Sequence, residues 1–277
     1  MQASVTFVGN ATTLLRLGQF TLLTDPAFGP AGSRVHLGHG AWTKRVRDPA
    51  LDVLSGVTVD AVVLSHLHGD HFDRAARRWV EPTLPILTTP QASRKLRRKR
   101  FLSARGLPPF ECHEWTRDRQ LLRVTAVPGR HGPGMVNSLL PDVMGSVIEL
   151  ELDGRLATRV YITGDTLMHD MLEQVPRRFG DIDAMLIHLG GTRLAGLLLT
   201  MDDRHGVELT RLIRPALTVP IHFDDYQVMK SPLSDFVTRA EHQGLTGGIT
   251  PIGRGETLAL PVRPGSPGLT RPHNRAV

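Results

Sequence analysis

The chain has 277 residues, 40% of them hydrophobic and 22% charged, with a formal net charge of +6. That is enough for one large domain or two small ones, and no apolar run approaches the roughly 20 residues of a membrane span. The one cysteine, Cys112, excludes an internal disulfide and a cysteine-based zinc site, and it is expected to be an inert, partly buried thiol.

At the N-terminus, residues 1–5 lack a basic stretch followed by an apolar one, so no signal peptide is expected and a cytoplasmic location is. Residues 5–8, 13–17 and 20–24 read as three strands of an antiparallel meander, punctuated by Gly9-Asn10 and Gly18-Gln19 and ended by Asp25-Pro26. Residues 29–50, rich in glycine, predict a long irregular connection that walls a site. Apolar residues 61–64 form a short buried strand, and a helix is expected over 72–80, a strand over 86–88 and a helix over 91–104. Strands follow at 110–115, 121–127, 143–152 and 157–163, then a helix near 167–178 and a strand at 185–188. A helix over 202–213, a strand over 217–222, a helix opened by Ser231-Pro232 with proline at its first position, and a strand at 256–260 complete the body. Residues 261–277 are dominated by Pro, Gly, Arg and Ser and are expected to be a disordered tail, leaving 1–260 as a single domain. Strands with helices between them, in two successive halves, predict two sheets back to back with helices outside.

The basic balance is an arginine balance, since only Lys44, Lys95, Lys99 and Lys230 among the 33 cations are lysines. The densest run, 94–100, reads either as a nucleic-acid patch or as the solvated face of a helix that turns Leu96 and Phe101 inward. The second reading is preferred, because no aromatic side chains interleave the cations as a stacking platform would require.

The densest chemistry lies in Ser65-His66-Leu67-His68-Gly69-Asp70-His71. Three imidazoles and a carboxylate within six positions suit two adjacent metal ions better than one. His66 and His68, two apart, project to the same side of an extended segment, and Gly69 lets Asp70 and His71 turn toward a second ion. Further ligands are expected at strand ends: His131 in Pro128-Gly129-Arg130-His131, Asp165 in Thr163-Gly164-Asp165 and His222 in Pro220-Ile221-His222.

The set resembles the signature of the metallo-β-lactamase superfamily, H-x-H-x-D-H followed by separated His, Asp and His. The resemblance runs from the meander to about residue 260. It implies a four-layer αββα sandwich of two mixed sheets, with His66, His68 and His131 on one metal, Asp70, His71 and His222 on the other, and Asp165 bridging. Gly9-Asn10-Ala11-Thr12, Thr24-Asp25-Pro26 and Thr200-Met201-Asp202-Asp203 further resemble the branch containing ascorbate-phosphate lactonase and N-acylphosphatidylethanolamine phospholipase D. Thr200 departs from it, standing where many relatives have histidine.

Two ions sharing a water would lower its pKa from about 15.7 toward neutrality, giving a bridging hydroxide that attacks a carbonyl or phosphorus. The ions are expected to be divalent, zinc first, with manganese and iron also compatible with these donors. Asp70 is expected to orient the hydroxide as well as ligate. A metal-bound water, His188 or Tyr226, in that order, would protonate the leaving group. Arg130 and Arg193 are candidate anion binders, and Asp224 and Asp225 candidate orienters of His222. The expected function is hydrolysis of a small-molecule lactone, ester or phosphodiester, with an anionic substrate. The alternative is a nuclease using the 94–100 segment. Homo-oligomerisation is left open, and residues 29–50, 132–142 and 189–200 are expected to select the substrate.

Overall fold

The computed structural model describes residues 3–38, 40–194, 196–245 and 248–264. In chain order its strands and helices are β1 (Ala3–Gly9), β2 (Thr12–Leu17), β3 (Phe20–Thr24), β4 (Arg34–His36), β5 (Trp42–Lys44), β6 (Ala61–Val63), α1 (Arg74–Trp79), β7 (Ile86–Thr88), α2 (Pro90–Arg98), β8 (Ala104–Gly106), β9 (Cys112–Arg117) and β10 (Gln120–Pro128). Next come β11 (Met144–Leu152), β12 (Arg155–Ile162), α3 (Gln174–Phe179), β13 (Ala184–His188), β14 (Arg193–Leu194), β15 (Leu197–Leu198), α4 (Asp203–Ile213), β16 (Leu217–Ile221), α5 (Leu233–His242) and β17 (Thr257–Ala259).

Two mixed sheets carry the architecture, one in the order β17-β1-β2-β3-β6-β7-β8 and one in the order β16-β13-β12-β11-β10-β9. The period of two along each strand divides its side chains between layers. Val5, Phe7, Leu15, Leu22 and Val63 of the first sheet meet Leu122, Ile148, Val160, Leu186 and Val219 of the second in one central core. The alternate residues turn outward: Leu14, Leu23 and Val62 pack with Ala76 of α1 and Leu96 of α2. On the opposite flank, Val147, Met185 and Ile187 pack with Val175, Val207, Leu209 and Phe236 of α3, α4 and α5. The result is the four-layer αββα sandwich.

Local chemistry sets the helix starts. The Asp73 carboxylate accepts from the Ala76 amide at 2.7 Å, and the Thr89 hydroxyl accepts from Ala92 at 3.1 Å ahead of Pro90, each satisfying an amide the helix leaves without a partner.

Several expectations are corrected. Residues 29–50 are not wholly irregular, because β4 and β5 pair there with Val35 opposite Thr43. The helix expected over 91–104 stops at Arg98, and residues 104–106 instead join β7 as the edge strand β8. Pro232 caps α5 from outside rather than occupying its first turn. Cys112 is exposed, at the start of the edge strand β9. Within the expected tail, the Pro261 carbonyl accepts from the Thr158 hydroxyl at 2.8 Å, and the Arg263 amide donates to Ala157 at 2.8 Å. Residues 265–277 lie outside the described residues. None of the described helices is long and apolar enough to cross a membrane.

The strands that matter for the site all end at one edge of the sandwich. β3 runs into Asp25, β6 into 65–71, β10 into His131, β12 into Asp165 and β16 into His222. An ion pair with both partners fully buried braces that edge: Arg45 Nη2 lies 2.9 Å from Asp225 Oδ1, joining the β4–β5 hairpin to the turn after β16. Removing one partner leaves the other charge buried and unpaired, so Asp225→Ala is expected to cost about 3–5 kcal/mol of stability, read from urea unfolding.

Candidate metal centre

The donor loop is clamped at several points. The Ser65 amide donates to Asp25 Oδ1 at 2.6 Å, the Met144 amide to the Ser65 carbonyl at 3.0 Å, and the Gly69 amide to the His36 carbonyl at 3.1 Å. A Cβ on Gly69 would stand 2.9 Å from that same carbonyl, so only glycine lets the β4–β5 hairpin lie on the loop. Gly164 meets a similar demand: its φ is +64°, and a Cβ there would stand 2.5 Å from the Met144 carbonyl. That close approach delivers Asp165 into the space between the sheets.

All seven donors are buried, and they converge as two groups. The ligand atoms of His66, His68 and His131 lie within 4.8 Å of one another, as do those of Asp70, His71, Asp165 and His222. His68 Nδ1 is 3.0 Å from His66 Nε2 and 3.2 Å from His131 Nε2. Bonds of about 2.05 Å in a tetrahedron separate their ligands by about 3.3 Å, so this spacing suits a single zinc-sized ion. Asp165 Oδ2 is 3.1 Å from His71 Nε2 and 4.0 Å from His66 Nε2, so one carboxylate reaches both groups.

Proton placement makes the case stronger. His131 Nδ1 donates to the Leu199 carbonyl at 3.1 Å and His222 Nδ1 to the Leu189 carbonyl at 3.3 Å. His71 Nδ1 donates to Asp25 Oδ2 at 3.1 Å, and His66 Nδ1 shares a hydrogen bond with the Ser65 hydroxyl at 3.0 Å. The outer proton on His131 leaves its inner nitrogen a lone pair, while the inner nitrogens of His71 and His222 face the carboxylates of Asp165 and Asp70. Buried His222 Nε2, Asp70 Oδ1 and Asp165 Oδ1 have no hydrogen-bond partner. Lone pairs facing one another in a buried space are costly unless a cation lies between them. The residues present fit a pair of metal ions.

The titration of the donors divides along the same line. Burial, reinforced by neighbouring imidazoles, holds His66 and His131 below the usual histidine range and His68 down to about 3. Burial also opposes a charge on His71 and His222, but there Asp165 and Asp70 outweigh it, aided at His71 by Asp25, and both pKa values rise. Asp70 is lowered to about 2, because His71 and His222 more than offset its burial.

His188 and Tyr226 stand elsewhere than at the mouth of the cleft. The His188 ring stacks on His71 at 6.1 Å, its Nε2 is 3.5 Å from Asp25 Oδ2, and its Nδ1 faces the Thr163 hydroxyl at 3.3 Å. It backs the donor set. The Tyr226 hydroxyl is buried and without a partner, and burial raises its pKa, so it keeps its proton. Asp225 does not touch the His222 ring as expected. Its Oδ2 accepts from the Asn10 amide at 2.7 Å, while the Asn10 side chain donates to the Asp70 carbonyl at 2.7 Å and the Asn10 carbonyl accepts from the His222 amide at 2.9 Å. Asp224 pairs with Arg47 at 2.9 Å and with Arg254. Thr200, the departure from the related branch, donates to the Leu189 carbonyl at 3.2 Å and accepts from Thr192 at 2.8 Å, which pins the 189–200 loop.

Asp25 and Asn10 were read as turn residues, and the structure makes them contacts of the donor set. The available signal was position, since Asp25 is a carboxylate at a strand end, as Asp165 is. Above the donors lies a cleft of about 20 Å³, walled by Leu37, Thr192, Arg193, Leu194, Leu199 and Val228. Arg193 reaches it with a half-exposed side chain 3.6 Å from Asp202, whereas Arg130 is exposed and does not line it.

Residues 21–223 match the family described as the Beta-lactamase superfamily domain. The chain belongs to the metallo-β-lactamase superfamily. Among superfamily relatives, a metal-dependent hydrolase of Archaeoglobus fulgidus is 26% identical over 210 residues, 73% of this chain and 82% of that protein. An uncharacterized protein of Mycobacterium tuberculosis is 24% identical over 245 residues, 85% of this chain. The alignment spans only 62% of that relative's length. The solved structure of a possible metal-dependent hydrolase from Veillonella parvula shares the fold, with a TM-score of 0.77 at 23% identity over 94% of this chain and 100% of that one.

Removing the carboxylate charge behind His71 should loosen one ion selectively. Asp25→Asn is expected to weaken the ion on the His71 side by about 10–100-fold, measured by competition with a chromophoric chelator. The titration shifts predict an order of release. A raised pKa means that protons compete with metal at higher pH, so progressive acidification should empty the His71–His222 side first. Dialysis followed by elemental analysis should then show a half-loaded plateau, and a single-step loss would contradict the two-group geometry.

Proposed function

We propose that the protein is a binuclear metal-dependent hydrolase acting on a small-molecule ester, lactone or phosphodiester. The convergence of seven buried imidazole and carboxylate side chains from four strand ends carries this reading, because burying so many ligating groups against one another is costly without cations. The relative from Archaeoglobus fulgidus, named a metal-dependent hydrolase, supports it. In this reading His66, His68 and His131 hold one ion, Asp70, His71 and His222 hold the other, and Asp165 is shared, within a single domain. Zinc is the favoured metal, since the donors are imidazole and carboxylate at tetrahedral spacing. Two such ions, when bound, acidify water and polarise the oxygen of the scissile bond.

The chain's own residues supply the rest. Asp70, lowered to about 2, stays ionised across the working range, and its unpartnered Oδ1 would orient the attacking water while the side chain helps hold an ion. His188 steadies Asp25 from behind, and Asp25 in turn fixes the tautomer of His71. Because His188 and Tyr226 do not line the cleft, water is the preferred proton donor to the leaving group. The walls Leu37, Leu194, Leu199 and Val228 keep bulk water from the reacting bond.

The nuclease alternative loses its support through placement. α2 runs between the parallel strands β7 and β8, so it starts at the donor edge and carries Arg97–Arg100 to the opposite end of the sheet. Leu96 and Phe101 are buried while the intervening cations are exposed, those of α2 on its solvent side and Lys99 and Arg100 just past its end.

The test is elemental analysis of the purified chain together with a screen of lactones, esters and phosphodiesters. Asp70→Ala is expected to lower kcat on the order of 10²–10⁴-fold. Full turnover by that variant, or saturation at less than two ions per chain, would overturn the reading.

A further inference from the structure

Many surface arginines of this chain are paired. Arg117 meets Asp60, Arg123 meets Glu114 and Arg177 meets Glu173, each at 2.6 Å. One layer departs from that pattern. Residues 72–106, which form α1, β7, α2 and β8, carry ten arginines and lysines against Asp73 and Glu81, a net +8 where the whole chain carries +6. The rest of the chain is therefore slightly acidic. Nine of the ten cations stand on α1, on α2 or in the turn that follows it, and none of the nine has an ion pair among the described residues. The tenth, Arg105, meets His113 at 2.8 Å.

Packing brings the two helices into one field. The Phe72 ring, just ahead of α1, meets the Phe101 ring, just after α2, edge-on at 5.5 Å, and the Arg77 guanidinium lies 6.0 Å from the Phe72 ring. Burial, with Arg77 and Lys95 beside it, lowers the Lys99 pKa. Along α2, Arg94 and Arg98 stand one turn apart, as do Lys95 and Lys99, and like charges at that spacing repel. Interspersed acids would relieve the repulsion, as Glu173 does for Arg177 four residues on. Here the cations stand exposed and unrelieved.

The missing chemistry narrows the partner. Ala76, Leu96 and Phe101 of this layer are buried. Trp79, 41% exposed, packs edge-on against Phe28 at 5.4 Å, and the other large apolar side chain in solvent is Leu102, after α2. Two side chains on different elements do not make the apolar face that a membrane-surface helix buries, nor the apolar centre of a protein interface. α2 carries no aromatic ring on which an unpaired base could stack. A double-stranded phosphate backbone asks for cations alone.

We propose that the outer face of α1 and α2 docks on the phosphate backbone of duplex nucleic acid, without reading base sequence. The same placement that withdraws the α2 cations from the donors makes them a means of attachment, with the donor edge left open to a small substrate. α2 has nine residues and spans about 13 Å, a length over which a duplex presents about eight phosphates. With about half of them facing the protein, about four are neutralised.

Fluorescence anisotropy tests this, with the full-length, metal-loaded chain titrated into a labelled duplex of about 24 base pairs and mixed sequence. Four contacts predict a slope of about −3.6 for log K against log salt, hence binding about 150-fold weaker at 200 mM salt than at 50 mM. Arg94→Gln combined with Arg98→Gln should make that slope shallower by about two. Arg204→Gln combined with Arg211→Gln removes the same charge from exposed positions of α4 and should leave the slope unchanged. Glutamine keeps helix propensity, and circular dichroism checks that both pairs fold. Two unrelated sequences are expected to bind alike, and the tighter of DNA and RNA forms names the natural duplex.

No binding at 50 mM salt overturns the inference. Equal weakening by the two pairs does the same, because it would reflect net charge and not this face. So does a preference for single strands, or binding of phosphatidylglycerol vesicles or polyglutamate in place of the duplex. Metal-dependent cutting of the duplex also overturns it, since the docked strand would then be a substrate. Turnover of small esters is expected to be the same in both pairs, so failure here leaves the hydrolase reading intact.

Discussion

Five imidazoles and two carboxylates buried against one another are the constraint on which the rest of the structure turns. Four of the imidazoles turn Nδ1 outward, to the Leu199 and Leu189 carbonyls, the Asp25 carboxylate and the Ser65 hydroxyl. Their Nε2 atoms point inward, where those of His71 and His222 face Asp165 and Asp70. Such an arrangement is costly to bury. It persists because each ring is held from behind, and the holding groups come from both sheets and from the loops above them.

That holding is layered. Asp225 is met by the Arg45 and Arg254 guanidinium groups and by the Asn10 amide. Asn10 in turn ties the Asp70 carbonyl to the His222 amide. A buried arginine is costly unless paired, and Arg45, held by Asp225 and by the Ala27 and Gly29 carbonyls, links the β4–β5 hairpin to the turn after β16. Backbone conformation is enlisted as well: Asn10 and His222 both have positive φ, at 55° and 58°, a region that non-glycine residues occupy only when their surroundings compel it. The ligand turn after β16 is thus held in a conformation it would not choose alone.

Much of the fold was legible because its signals are local. Meander strands β1 to β3 alternate inward and outward side chains, and their turns carry the residues turns demand. The edge strand β8 and the hairpins β4–β5 and β14–β15 were not legible. They are two or three residues long, too short for a period to register, and their pairing is decided by what lies beside them. The cations of 94–100 stand exposed with Leu96 and Phe101 buried on either side, although α2 ends at Arg98 and Phe101 lies beyond it. Cys112 was misjudged because it falls on an edge strand, and edge position cannot be read from a segment by itself.

For the site, the sequence by itself determined the candidate donors, their order and their likeness to a superfamily signature, because ligating chemistry is written in residue type and strand ends mark themselves. Tertiary structure alone decided which nitrogen of each ring faces inward, and that Asp25 and Asn10 belong to the site. It also placed His188 behind His71 instead of at the cleft. Those facts depend on contacts between residues tens to hundreds of positions apart, and packing, not local pattern, fixes such contacts.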